Sequence, residues 1–252
     1  MKLIINLLST AKFGDIVKVC IGLNWTAVVI RKNGIKFCGL ASTVWEGHDH
    51  TSEPRIEKAG KLDNMSGQEL AELALSSNLT LRSVGIASLN AQLQPQMPDN
   101  WTESNAGEIL AENGKDKRML MVGRFPLTED LRSRVKELVV LEQTPGPDDL
   151  PASQAQEVIP KAEVVAITGM TLINHTLEDL LKLCQASAFV MVLGPSTPLS
   201  PILFEYGVNL ISGAVVDQIE PVMRVVMQGG NFRQVHKAGV RLVNLARKTE
   251  NF

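Results

Sequence analysis

From residue 118 to residue 230 the chain repeats one unit, a short and continuously apolar run followed by a segment with helical spacing. The runs are RMLMVG, ELVVLE, EVVAITG, AFVMVLG and NLISGAVV. The helical segments are LTEDLRSRV, TLEDLLKLCQAS, SPILFEY and PVMRVVMQ, the last ending at Gly229-Gly230. A strand that is apolar on both faces must be covered on both, so these strands are expected to form a parallel sheet between two layers of helices. Right-handed crossovers then give a doubly wound, Rossmann-like α/β fold.

The preceding part has a different rhythm. DIVKVCIGL, WTAVVIR and IKFCGLA read as strands, and Asn33-Gly34 between the last two suits a hairpin turn that needs positive φ at both positions. A polar stretch, STVWEGHDHTSEPRIEKAG, reads as a loop. Ser66 and Glu69 have the spacing of a capping box ahead of the helical ELAELALSS, and TLRSVGIASLNAQL reads as a second helix. Strands first and helices second indicate a smaller α+β unit. Pro95 to Asn100 is a loop, and a short helix from about Asn105 to Glu112 leads to the turn Asn113-Gly114-Lys115. We therefore expect an α+β domain over residues 1–112 and a Rossmann-like domain over 113–252, for which 252 residues suffice.

Charge narrows the partners. With 25 basic and 27 acidic residues the net charge is −2, which gives no electrostatic reason to expect nucleic acid or an anionic membrane. The N-terminal apolar residues Leu3, Ile4, Leu7 and Leu8 have helical spacing and no signal-peptide cleavage pattern follows them. No run is long enough to span a bilayer. Cys20, Cys38 and Cys184 are too few and too scattered for a disulfide framework, so reduced thiols and a cytoplasmic location are expected.

Ligands of an open parallel sheet collect beyond the carboxyl ends of its strands. The first of these strands ends in Gly123-Arg124-Phe125-Pro126, where a dinucleotide site would need further glycines to admit a pyrophosphate. NAD and FAD are therefore not expected, and Gly123 serves either a ligand or a tight turn. Glu142 ends the second strand 19 residues later, the place of an acid that binds a ribose hydroxyl pair; an exposed strand-end carboxylate explains it equally. The third strand runs into Thr168-Gly169-Met170-Thr171-Leu172-Ile173-Asn174-His175-Thr176. Thr176 is the expected N-cap of the next helix, whereas Thr168, Thr171 and Asn174 put short donors and acceptors over the sheet edge. His175 reads as a loop or interface histidine. The fourth strand is followed by Gly194-Pro195-Ser196-Thr197-Pro198, a stiff turn that aims Ser196 and Thr197. Ser200 and Pro201 then read as N-cap and first helical residue. In the first half, Asn24 and Thr26 lie between strands, and Asn90 stands among small residues, where a ligand or a buried backbone contact would each account for it. His48-Asp49-His50 lacks the spacing of a closed metal site and reads as a solvated loop.

Taken in order, GLNWTAV, GIASLNA, VGRFP, ITGMTLINHTLEDLL, LGPSTPLSP, ISGAVV and QGG resemble the putative heavy-metal-chelation family of uncharacterised prokaryotic proteins. The resemblance covers most of the chain and is densest from Gly123 to Gly230. It implies an enolase-N-terminal-like domain joined to a Rossmann-like domain with partial similarity to methyltransferases, and a site in the cleft between them. It also implies condensation or hydrolysis in making metal-chelating, pterin-like or flavin-like compounds. The residues themselves leave three functions open: an enzyme acting on a small molecule, a binding protein for a metal complex or its chelator, and a methyltransferase-like use of S-adenosylmethionine. The candidate ligand-binding set is Asn24, Thr26, Asn90, Gly123, Phe125, Glu142, Thr168, Gly169, Thr171, Asn174, Gly194, Ser196 and Thr197. No pair of nucleophile and base stands out among them. The cofactor is undefined, no metal site is expected, and homo-oligomerisation is left open.

Overall fold

The computed structural model describes residues 1–45, 56–94 and 101–247. Helix α1 (Lys2–Thr10) buries Leu3, Ile4 and Leu7 on one face. Strands β1 (Asp15–Ile21), β2 (Trp25–Lys32) and β3 (Ile35–Ser42) form an antiparallel sheet in that order. The hairpin turn is as expected, with φ of 52° at Asn33 and 79° at Gly34. Helix α2 (Gly67–Glu72) opens on the capping box, Ser66 and Glu69 each accepting the other's backbone N–H. The helical reading of ELAELALSS continues only as a 3-10 turn over Leu73–Leu75. Helix α3 (Leu79–Gln92) is buried over most of its length because small residues let backbones close on it. A Cβ on Gly85 would stand 1.9 Å from the backbone nitrogen of Ala74, and one on Gly39 would stand 2.1 Å from the carbonyl oxygen of Ala87.

The second sheet begins with β4 (Trp101–Thr102) and helix α4 (Ala106–Gly114). Next come β5 (Arg118–Val122), α5 (Thr128–Arg132), β6 (Glu137–Glu142), β7 (Leu150–Pro151), α6 (Ala155–Val158) and β8 (Val164–Thr168). The chain continues through α7 (Met170–Ile173), α8 (Leu177–Leu183), β9 (Phe189–Leu193), β10 (Leu210–Val216), α9 (Ile219–Met227), α10 (Phe232–Lys237) and β11 (Val240–Ala246). The eight strands lie in the order β4-β11-β10-β9-β8-β5-β6-β7. From β10 to β7 every neighbour is parallel. Counted from β5, those six strands have the 3-2-1-4-5-6 order of a dinucleotide-binding sheet, with its switch point between β5 and β8. Two antiparallel strands, β11 and β4, extend the far edge.

Alternate residues of each central strand enter different cores. Leu120 and Val165 belong to one large apolar cluster with α6, α7 and α8, which extends to α1, α2 and α3 of the first half, while Met119, Met121 and Ala166 face α4 and α5. The small sheet is covered twice. Val28 and Ile30 share the large cluster with α3, and Ala27, Val29, Cys38 and Leu40 pack on Val222, Met223 and Val235 of α9 and α10. The short segment 101–114 lies with the large sheet, through β4 on β11 and through Leu110 and Ala111. Among the described residues no helix is long and apolar enough to cross a membrane.

Some local expectations are revised. SPILFEY forms a 3-10 helix over Pro201–Tyr206, although Ser200 caps it as expected by accepting the Ile202 N–H. LTEDLRSRV is α-helical only over Thr128–Arg132. Thr176 precedes α8 but makes no side-chain cap bond. His175, at φ 60°, turns the chain directly from α7 into α8, so Thr176 is already in helical backbone geometry. The Pro95–Asn100 loop and His48-Asp49-His50 lie outside the described residues.

Candidate functional site

A cavity of about 240 Å³ lies over the carboxyl ends of β5, β6 and β8. Five expected residues line it: Gly123, Glu142, Thr168, Thr171 and Asn174. Val122, Leu141, Ala152, Ala155, Met170 and Leu180 supply aliphatic walls, and Arg124, Gln143 and Thr176 complete the polar rim. All of these residues fall between 122 and 180. Among the described residues the first half reaches the cavity from behind, where α3 packs on α7, Arg82 donates to the Ile173 carbonyl and His175 Nε2 lies 2.8 Å from the Ala74 carbonyl. Burial pulls the His175 pKa down, which keeps the ring neutral in that contact.

Local backbone geometry accounts for the shape. Gly123 has φ 95°, a conformation that favours glycine, and a Cβ there would sit 2.9 Å from Thr168 Cγ2. Its N–H donates to the Leu141 carbonyl, so the chain leaves β5 folded over the end of β6. Glu142 Oε1 accepts the Arg124 N–H at 2.5 Å, which orients the carboxylate. Thr171 Oγ1 donates to the Thr168 carbonyl, and Thr168 Oγ1 accepts the Met170 N–H. Gly169 allows the loops after β8 and β9 to touch, since a Cβ there would stand 2.4 Å from Thr197 Oγ1. Phe125 packs in the core beneath and lies near both Gly123 and Gly194.

The other expected residues are placed elsewhere. Asn24 donates to the Gly229 and Gly230 carbonyls, and Thr26 pairs with the Thr43 hydroxyl. Asn90 and Ser196 serve the outer edge of β3. Gln94 donates to the Cys38 carbonyl, Asn90 to the Leu40 carbonyl at 2.7 Å, and Ser196 Oγ accepts the Ser42 N–H at 2.9 Å. Residues 38, 40 and 42 point the same way, so three side chains satisfy an edge that a further strand would otherwise pair. Ser196 and Thr197 are each 2% exposed and neither lines the cavity: Ser196 faces this seam, and Thr197 Oγ1 lies against Gly169. Sequence reading missed Gln94 and Gln143, and it passed over Arg124, which stood beside Gly123 in the first loop.

Two family models, both described as "Putative heavy-metal chelation", match residues 105–244 and 5–93, the first of these alone being more than half the chain. The chain belongs to this family. It is 26% identical over 229 residues to "Uncharacterized protein MJ0500" of Methanocaldococcus jannaschii, covering 87% of this chain and 86% of that protein. Two solved structures of the DUF364 family share the fold, each with a TM-score of 0.81 and 98% of both chains covered. One is from Desulfitobacterium hafniense at 23% identity and the other from Pyrococcus horikoshii at 19%.

A protein-held heavy metal asks for converging thiolates or imidazoles. Among the described residues no three His, Cys, Asp or Glu side chains are grouped to hold an ion. Burial pushes the Cys38 thiol up to about 12 and the Cys184 thiol up to about 11, so both are protonated at neutral pH. Among the described residues, the donors are not gathered for a resident heavy metal.

Proposed function

We propose that the cavity over β5, β6 and β8 holds a small organic molecule of metal-chelator, pterin-like or flavin-like metabolism. A metal reaches the protein only inside such a molecule. The observation that carries this reading is the convergence of Gly123, Glu142, Thr168, Thr171 and Asn174 from three strand ends on one cavity. Convergent polar groups over aliphatic walls are what a small-molecule site requires. The first domain borders the site through its packing on α7 without lining it, and the pairing of β4 with β11 favours starting the second domain at Trp101 rather than after residue 112. Three free cysteines fit a reducing, cytoplasmic setting.

Binding and orientation are favoured over covalent catalysis. Glu142 and Arg124 are the ionisable side chains among the lining residues, and the Thr171 hydroxyl donates to a carbonyl instead of to a base. Condensation or hydrolysis here would have Glu142 accept or return a proton while the substrate supplies its own nucleophile. Methyl transfer would need a nucleoside-linked donor in the same cavity, and the mass of the carried ligand separates it from the other readings.

The test is native mass spectrometry with metal analysis on gently purified protein, beside Asn174→Ala and Thr171→Val. One organic ligand per chain is expected, lost from both variants; once the ligand is stripped, Asn174→Ala should melt close to the parent, and Thr171→Val lower by the loss of its hydrogen bond to the Thr168 carbonyl. Metal that stays bound after the organic ligand is stripped would overturn the reading, as would full ligand retention by both variants.

A further inference from the structure

We propose that the cavity selects a nitrogen heterocycle carrying a vicinal diol and no phosphate, with the diol on Glu142. This rests on the cavity being the ligand site. The sheet has the strand order of a nucleotide-binding fold, and Glu142 ends its second strand, where an acid takes a pair of hydroxyls. Among the described residues, one Glu142 oxygen receives a protein hydrogen bond, from Arg124 N–H, and that bond fixes the carboxylate's direction. The aliphatic walls from Leu141, Ala152, Ala155 and Leu180 suit the ring.

The phosphate position of such a fold is closed here by chemistry. In a dinucleotide site the backbone N–H groups after the first strand face the pyrophosphate. In this chain the Arg124 N–H is taken by Glu142 and the Phe125 N–H by Thr128 Oγ1 at 3.0 Å. The Arg124 guanidinium is taken too, by Asp149 at 2.7 and 3.3 Å and by Glu129 at 2.8 Å. Glu129 and Asp130 occupy the first turn of α5, where a phosphate would lie. Against two cations, Arg124 and Arg132, stand Glu129, Glu142 and Asp149, so a phosphate entering this loop meets a net negative charge and finds the Arg124 guanidinium and the Arg124 and Phe125 N–H groups already engaged.

Two sources offer this ligand chemistry, a ribonucleoside and a heterocycle with an open-chain polyol, so both are tested. Calorimetry on the ligand-stripped protein compares adenosine, 2′-deoxyadenosine, AMP and riboflavin. We expect adenosine or riboflavin to saturate the protein below about 1 mM. If the binder is adenosine, AMP and 2′-deoxyadenosine should each bind about 10-fold weaker or worse, the loss of one charge-assisted hydrogen bond or the gain of an unpaired charge. Glu142→Gln still accepts the Arg124 N–H through its amide oxygen, so it should melt like the parent and lose about 10-fold in affinity. The deoxy ligand on unaltered protein gives the same answer without a variant. AMP binding as tightly as adenosine overturns the proposal, as does failure of both adenosine and riboflavin to bind. If both fail while Asn174→Ala still releases the carried ligand, the cavity remains the site and only its assigned chemistry is wrong.

Discussion

Replacing Asn90 separates a scaffold role from a ligand role. Its side-chain amide donates to the Leu40 carbonyl at 2.7 Å and to the Pro195 carbonyl at 3.3 Å, joining α3 to β3 and to the loop after β9, and the residue is only 6% exposed. Asn90→Ala removes one good and one long hydrogen bond, leaves two carbonyls facing an apolar gap and empties the space of the amide. A net bond is worth about 1 kcal/mol, and a buried group left without a partner costs about 1–3 kcal/mol, so the total is about 2–4 kcal/mol. Asn90→Asp keeps the volume but turns a carboxylate toward two carbonyl oxygens. Its folded pKa should be raised by burial and by those oxygens, so its stability is fully present below the unfolded value of about 4 and is lost as pH rises. Urea unfolding of the three proteins at neutral and acid pH reads both effects. Asn90→Ala within about 0.5 kcal/mol of the parent would refute the reasoning, and so would an Asn90→Asp deficit that is the same at both pH values. A variant of parental stability that had lost its ligand would return Asn90 to the binding site.

Two further outcomes are expected. Gly85→Ala should destabilise the protein by about 2 kcal/mol or more from overpacking against the Ala74 backbone, although helix propensity alone predicts a gain of about 1 kcal/mol; thermal melting decides the sign. The Glu178 carboxyl is held down from 4.5 to about 2, first by its hydrogen bond from the Met1 ammonium and then by the Leu3 N–H. The stability it contributes is present above 4.5 and lost as pH falls through about 2. Melting temperature between pH 5 and about 2 should therefore fall less steeply in Glu178→Gln than in the parent.

What the chain disclosed in advance follows from which partner each residue has. Asn33-Gly34, the Ser66–Glu69 box and the Ser200-Pro201 start act within a few residues, so their partners are in the same stretch of sequence. The strand ends that line the cavity were legible for a related reason: where apolar runs stop, a parallel sheet exposes its loops. Asn24 and Ser196 read as ligand groups from their loops, and Asn90 as either a ligand group or a buried backbone contact, because each needs a partner. Those partners are backbone atoms of Gly229, Leu40 and Ser42, and a backbone carbonyl or N–H leaves no mark on the sequence. β4 spans two residues, too few for any periodicity. β11 was within reach, since Asn231 and Gln234 form a second capping box and VRLVNLA follows the helix it starts.

The pairing of Thr102 with Asn244 and of Trp101 with Leu245 places the first and last strands of the large sheet side by side. A chain can thus enter and leave this half at a single doorstep. Polypeptide could be attached at that point without threading through the sheet or unpairing its central strands, which is the arrangement that tolerates grafting and circular permutation.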